Sequence, residues 1–277
     1  MYNLVCKLKT HFFIWEEIKK MKSMEEIKMT KFDECYLIVY ATKMKVNIKK
    51  EHSIGKRDMY VLIGLNAQGK RKYIGSYLDD VNNHRHWLDI FEEIKSKGIN
   101  DIIFLAVDDN KFLKKCVKVA YPNINIVPLL IDIVDSFYKY FSDKYSTKIR
   151  TEIKELYLYE SITDYQNAYD LFVEKYGKNG ILASLINKYL KDIKELYKYE
   201  YAIRKALYND YMLKVLKNNI LKLNNKNQYY NNINDIMELV VDNINNIELF
   251  TSYTKKNWLT ILEAFYKNYQ ERLEMYL

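Results

Sequence analysis

The stretch Tyr36-Leu37-Ile38-Val39-Tyr40-Ala41 is apolar at every position. A strand with one wet face alternates; an unbroken apolar run of this length reads as a strand covered on both faces. Such a strand needs a layer above it and a layer below it. Downstream the run turns to alternation, with Met44 and Val46 on one side and Lys43 and Lys45 on the other. The spacing then predicts strands over 58–65 and 72–77, with Asn66-Ala67-Gln68-Gly69 as the turn and Gly69 free to take a positive φ. Three strands with short connections form an antiparallel meander. A helix over 83–97 carries Trp87, Leu88, Phe91 and Ile94 on one stripe, with Gly98 as its stop. A strand over 101–107, a helix over 111–121 ended by Pro122, and a strand over 124–130 follow. Pro128 places that last strand at an edge or a strand end. The order is β-β-β-α-β-α-β: an α/β mixed sheet with helices on its faces.

Beyond Asp132 the chain reads as helix, interrupted at Gly177, Gly180 and the Asn-rich stretch 224–234, which reads as a loop or a disordered connection. Residues 1–35 read as an N-terminal helical segment. Seven Gly and two Pro in 277 residues agree with long helices, since average usage would give about 19 and 14. Hydrophobic residues make up 49% and charged residues 29%, which excludes wholesale disorder. The formal net charge of +8 suits a polyanionic partner. Three cysteines without C-x-x-C spacing point away from disulfides and zinc and toward a reducing, cytoplasmic setting. The pair His84-x-His86 diverges on a helix and is a poor metal site. No apolar run approaches the roughly 20 residues of a membrane span.

An apolar strand that ends in Asp108 places a carboxylate where α/β folds keep reactive groups, at the carboxyl end of a strand. The plainer reading of Asp108 is an N-cap for the helix over 111–121. The runs Tyr60-Val61-Leu62-Ile63-Gly64-Leu65-Asn66-Ala67-Gln68-Gly69-Lys70, Ile74-Gly75, His86-Trp87-Leu88 and Gly98-Ile99-Asn100-Asp101-Ile102 extend the pattern. So do Glu174-Lys175-Tyr176-Gly177, Ile203-Arg204-Lys205-Ala206-Leu207-Tyr208 and Asn257-Trp258. In this order, over roughly residues 36 to 275, the series resembles the Mutator-type transposases of bacterial insertion sequences. The resemblance implies an RNase H-like fold: a first core part over 36–142, an all-helical insertion over 143–200 and C-terminal helices over 201–277 that complete the core. It also implies three carboxylates holding two divalent ions, Mg²⁺ or Mn²⁺, and DNA as partner.

Residue by residue, the site departs from that family. In Val39-Tyr40-Ala41-Thr42-Lys43-Met44-Lys45-Val46, Tyr40 stands where the family has its first Asp. Asp108 matches the second, although the motif after it is one residue short. Leu129 and Asp132 replace a C-x-x-H pair, and Lys214 in Tyr211-Met212-Leu213-Lys214-Val215 stands for the final Glu. Three carboxylates would supply about −3, whereas Asp108, neutral Tyr40 and cationic Lys214 sum to about zero. A lysine near 4 Å would repel a cation by about 4 kcal/mol per unit charge at an effective dielectric of 20. The expectation is a transposase relative, truncated at its N-terminus, that does not cut or join DNA through this site. It would bind DNA or associate with an intact transposase or with its own copies. The candidate phosphate contacts are Lys43, Lys45, Arg71, Lys72, Lys111, Lys114, Lys115, Arg204, Lys255 and Lys256. Two alternatives stay open: an active enzyme with a relocated metal site of Asp108, Asp109 and Asp210, or a helical interaction protein without a DNA role.

Overall fold

The computed structural model describes residues 32–50, 53–80, 83, 85–138, 143–178, 180–208, 210–226, 229–248 and 255–276. The expected N-terminal helical segment falls, up to residue 31, outside them. Five strands form one mixed sheet: β1 (Cys35–Lys50), β2 (Ser53–Leu65), β3 (Arg71–Leu78), β4 (Asp101–Val107) and β5 (Asn125–Pro128), in the order β3-β2-β1-β4-β5. The first three are antiparallel, and β4 and β5 run parallel to β1. The meander, the alternation of strand and helix, and the edge position of Pro128 agree with the sequence reading. The register sets Tyr40 between Ile63 and Ala106, and Lys43 opposite Tyr60.

The apolar β1 run is buried on both sides, as its composition requires. On one face Tyr36, Val39, Ala41, Tyr60 and Leu62 pack under α1 (His86–Ser96) and α2 (Lys111–Ala120). On the other, Ile38, Tyr40, Met44 and Val46 belong to a larger core with the helical half. That half comprises α3 (Leu130–Tyr138), α4 (Asp143–Leu158), α5 (Ile162–Tyr176), α6 (Gly180–Leu185), a π-helical turn (Ile186–Leu190) and α7 (Lys191–Glu195), then a 3-10 turn (Leu196–Lys198), α8 (Tyr201–Leu207), α9 (Asp210–Lys226), α10 (Ile233–Glu248) and α11 (Lys255–Glu274). Among the described residues, no helix is long and apolar enough to cross a membrane.

Two expectations need correction. The β1–β2 ladder runs on to Lys50 and Ser53, well past Val46 and Asp58. Tyr230 secures this extension: its N–H donates to Asn47 O and its carbonyl accepts from Lys49 N, both at 2.8 Å. A partner 180 residues away leaves no local signal. The Asn-rich stretch is also shorter as a loop than its composition suggests, because α9 continues through Asn224 and Asn225, and α10 begins at Ile233.

The turn over 66–69 forms as expected, with Gly69 at φ 73°. Asn66 Oδ1 accepts from the N–H groups of Gln68 and Lys70. The Trp258 indole of α11 donates to Ala67 O at 2.9 Å, which ties the hairpin to the last helix.

Candidate functional site

Asp108 follows the last residue of β4, and its side chain is only 10% exposed. A carboxylate so enclosed needs donors. Tyr60 O–H lies 2.8 and 3.0 Å from its two oxygens, Asn110 N–H lies 3.2 Å from Oδ1, and the Lys43 ammonium pairs with Oδ2. The helix cap is Asn110 and not Asp108: Asn110 Oδ1 accepts from Phe112 N and Leu113 N. The Asn110 amide also donates to Tyr60 Oη at 3.1 Å and to Asp79 at 3.3 Å, and Asp79 accepts from the Trp87 indole. Burial and then the Asp108 charge push the Tyr60 phenol far above its ordinary pKa, so it stays a neutral donor. Burial draws the Lys43 ammonium down, but the Asp108 hydrogen bond and charge outweigh it and leave the pKa raised.

A second pair lies in the same cleft. Asp132, in the first turn of α3, pairs with Lys217 of α9, whose Nζ is also 3.7 Å from Asp135. Burial raises the Asp132 pKa, Lys217 opposes it, and the charges of Asp108 and Asp135 add to it. Its second oxygen is buried without a hydrogen-bond partner. The cleft has a volume of about 760 Å³ and runs between Lys43–Lys45 of β1, the carboxyl ends of β4 and β5, α3, α9 and the π-helical turn. Asp58, Asp79, Asp80, Asp108, Asp109, Asp132, Asp135 and Asp192 line it against Lys43, Lys45, Lys114, Lys188 and Lys217. Eight carboxylates against five ammoniums give a formal −3. The expectation of a neutral pocket, reached from three residues, is therefore corrected: the cleft is acidic, with the carboxylates of Asp108 and Asp132 already paired.

The structure does not bring the three triad positions together. Tyr40 is fully buried, and its hydroxyl donates to Ala206 O of α8 at 2.6 Å, so it serves as a strut between the central strand and α8. Lys214 is exposed and does not line the cleft; Lys217, nearly one turn on, does. Asp109 pairs with Lys114 at 3.3 Å and Lys188 at 3.4 Å. These cations hold its carboxyl below its ordinary pKa against the pull of burial. The side chains of Asp210, Lys255 and Lys256 lie outside the described residues. Among the described residues, no group of three or more His, Cys, Asp or Glu side chains is placed to hold a metal ion. Asp108 and Asp132 each spend an oxygen on an ammonium, so among the described residues the donor set does not fit the implied pair of divalent ions.

Two of the proposed phosphate contacts are also corrected. Arg204 is 2% exposed; its guanidinium donates to Tyr157 O and Glu160 O, at the end of α4, and lies 4.0 Å from the Tyr197 ring centroid. Arg71 is buried. Lys72 pairs with Asp33 at 2.8 Å. Lys45 and Lys111 remain on the surface, Lys45 beside Asp58 at 3.2 Å, and Lys115 is exposed. His86 Nε2 meets Leu78 O at 2.5 Å, a structural contact. Sequence reasoning missed Tyr60, Asn110, Asp79 and Lys217. Only Tyr60 left a usable signal, since the hairpin register sets it beside Lys43 on β1.

Comparison with known proteins agrees with the resemblance read from the sequence. Residues 15–273 match the family model described as "Transposase, Mutator family". The transposase for insertion sequence element ISRM3 of Rhizobium meliloti (strain 1021) is 18% identical over 240 residues, covering 86% of this chain and 60% of that transposase. The probable transposase for an ISRM3-like element of Sinorhizobium fredii (strain NBRC 101917 / NGR234) is 21% identical, covering 51% of this chain and 36% of its own length. The transposase for IS905 of Lactococcus lactis subsp. lactis (strain IL1403) is 20% identical, covering 77% and 53%. The chain thus spans about half the length of the curated relatives it matches.

Proposed function

The chain belongs to the Mutator family of transposases, and on that premise we propose that it is a transposase-derived protein that engages DNA without cutting or joining it. One observation carries the reading: Asp108 and Asp132 are each neutralised by a lysine of the same chain, while Tyr40 faces the core. Two-metal phosphoryl transfer needs anionic oxygens free to hold ions about 4 Å apart. Here one oxygen of each carboxylate faces an ammonium group, which is not a ligand. Asp109, the second member of the relocated-site alternative, is likewise committed to Lys114 and Lys188.

The sheet order β3-β2-β1-β4-β5, antiparallel on one side of β1 and parallel on the other, supports an RNase H-like core. In that reading 143–200 is an all-helical insertion, and 201–277 completes the core. DNA would meet cations outside the acidic cleft, such as Lys111 and Lys115. Association with an intact transposase or with further copies of itself gives such a protein a route to influence transposition.

The test incubates purified protein with duplex DNA and Mg²⁺ or Mn²⁺, in a cleavage and strand-transfer assay and in a gel shift over a salt series. The expected result is no cut product and a shift that weakens steeply with salt, with log K falling by about 0.9 per phosphate neutralised for each tenfold rise in salt. Metal-dependent cleavage abolished by Asp108→Ala would overturn the inactive reading, and no shift at low salt would overturn DNA engagement.

A further inference from the structure

The two lysines of the cleft come from elements far apart in the chain, yet both end on enclosed carboxylates. Lys43 leaves the central strand and reaches Asp108. Lys217 leaves α9, 85 residues after Asp132, and its ammonium lies between Asp132 and Asp135 with only 12% of the side chain exposed. The charges of Asp132 and Asp58 add to that of Asp108 at Lys43. The result is an alternation of charge along the cleft floor: Asp135, Lys217, Asp132, Lys43, Asp108. Taking one charge out of such a pair leaves its partner enclosed and uncompensated, which is strongly destabilising.

We propose that Lys43 and Lys217 are built-in counter-ions of the cleft. They supply the neutralisation that a metal-using relative would draw from solution, so this chain holds its cleft together without a divalent ion. Without the two lysines it becomes cation-dependent. The proposal rests on the inactive reading above but makes a separate claim, about what the carboxylates bind rather than whether DNA is cut. Geometry favours it. Mg²⁺ demands near-octahedral oxygen ligands and is usually held by one or two carboxylates. A cation entering here must displace a covalently tethered ammonium that is always present. The surplus of carboxylates explains why the tethered cations are needed at all: without Lys43 and Lys217, the lining would carry a formal −5.

The experiment compares the whole chain, Lys217→Gln, Lys43→Gln/Lys217→Gln, and the neutral pair Lys217→Gln/Asp132→Asn. Each is melted in EDTA and in Mn²⁺, and bound Mn²⁺ is read by electron paramagnetic resonance. The unsubstituted chain should melt within about 1 °C in EDTA and in about 5 mM Mn²⁺, since a ligand that does not bind cannot stabilise. It should leave the Mn²⁺ signal free. The double-lysine variant should melt lower in EDTA, regain at least half of that loss in Mn²⁺, and immobilise the ion; if it folds only when Mn²⁺ is present, the proposal is supported in the same way. The Lys217→Gln/Asp132→Asn variant should melt above Lys217→Gln alone, because the enclosed carboxylate is gone and the one left unpaired, Asp135, is 46% exposed. Immobilisation of Mn²⁺ by the unsubstituted chain overturns the proposal, as does a double-lysine variant indifferent to the ion. A chain that binds Mn²⁺ yet leaves DNA intact sinks this inference alone, and a chain that cuts DNA sinks the earlier reading.

Discussion

At the scale of single residues, two side chains have consequences that their identities do not advertise. Tyr60 is the hinge of the polar network: it donates to Asp108 and accepts from Asn110. Tyr60→Phe keeps the ring against Trp87, 5.0 Å away between centroids, but deprives an enclosed carboxylate of a donor. The expected cost is about 1–3 kcal/mol in urea denaturation, and a loss near zero would show that Lys43 suffices alone. Arg204 is the opposite case, a cation read from sequence as a phosphate contact and found to be internal. Arg204→Lys cannot reach both Tyr157 O and Glu160 O and loses the planar stack on Tyr197. It should destabilise by about 2 kcal/mol and leave the salt dependence of DNA binding unchanged. A shallower salt slope would return Arg204 to the DNA interface.

At the scale of elements, close approach decides more than propensity. β2 passes the ring of Tyr36 at Gly64, where an added Cβ would come within 2.3 Å of that ring. Tyr36 is fully buried and has nowhere to retreat. Gly64→Ala should therefore cost about 1–3 kcal/mol through overpacking, seen as a lower denaturation midpoint with an unchanged m-value; a neutral result would mean that the strand can slide. The elements themselves were largely legible. The apolar run of β1, the stripe of α1 and the Gly98 stop come from local pattern, and each forms within a few residues of its expected place. What was not legible was any choice made by a distant partner. The extra length of the β1–β2 ribbon depends on Tyr230. The α9 register, which turns Lys217 into the cleft and leaves Lys214 in solvent, depends on how that helix settles against the sheet and α3.

At the scale of the whole molecule, an unusual tyrosine content becomes a pH property. The chain has 27 tyrosines, and burial drives Tyr36, Tyr60, Tyr77, Tyr121, Tyr157 and Tyr165 well above their ordinary pKa. The folded state keeps these protons where the unfolded chain has released them, so stability falls as pH rises past about 10. Lys43 acts in the same direction: its raised pKa contributes stability below its unfolded value near 10.4 that is lost as pH climbs through the folded one. A titration of tyrosinate absorbance with parallel circular dichroism should show one fraction ionising near pH 10 and the rest only as helicity collapses. Smooth ionisation of all tyrosines with the fold intact would refute this. The linear chain by itself determined the layered α/β plan, the strand order along the sequence, the family and the place of Asp108, because periodicity, turn residues and short motifs are local. Only the tertiary structure decided the chemistry of the cleft. Which lysine meets which aspartate, and whether Tyr40 faces a ligand or the core, depend on the directions of side chains carried by separate elements, and no local pattern encodes them.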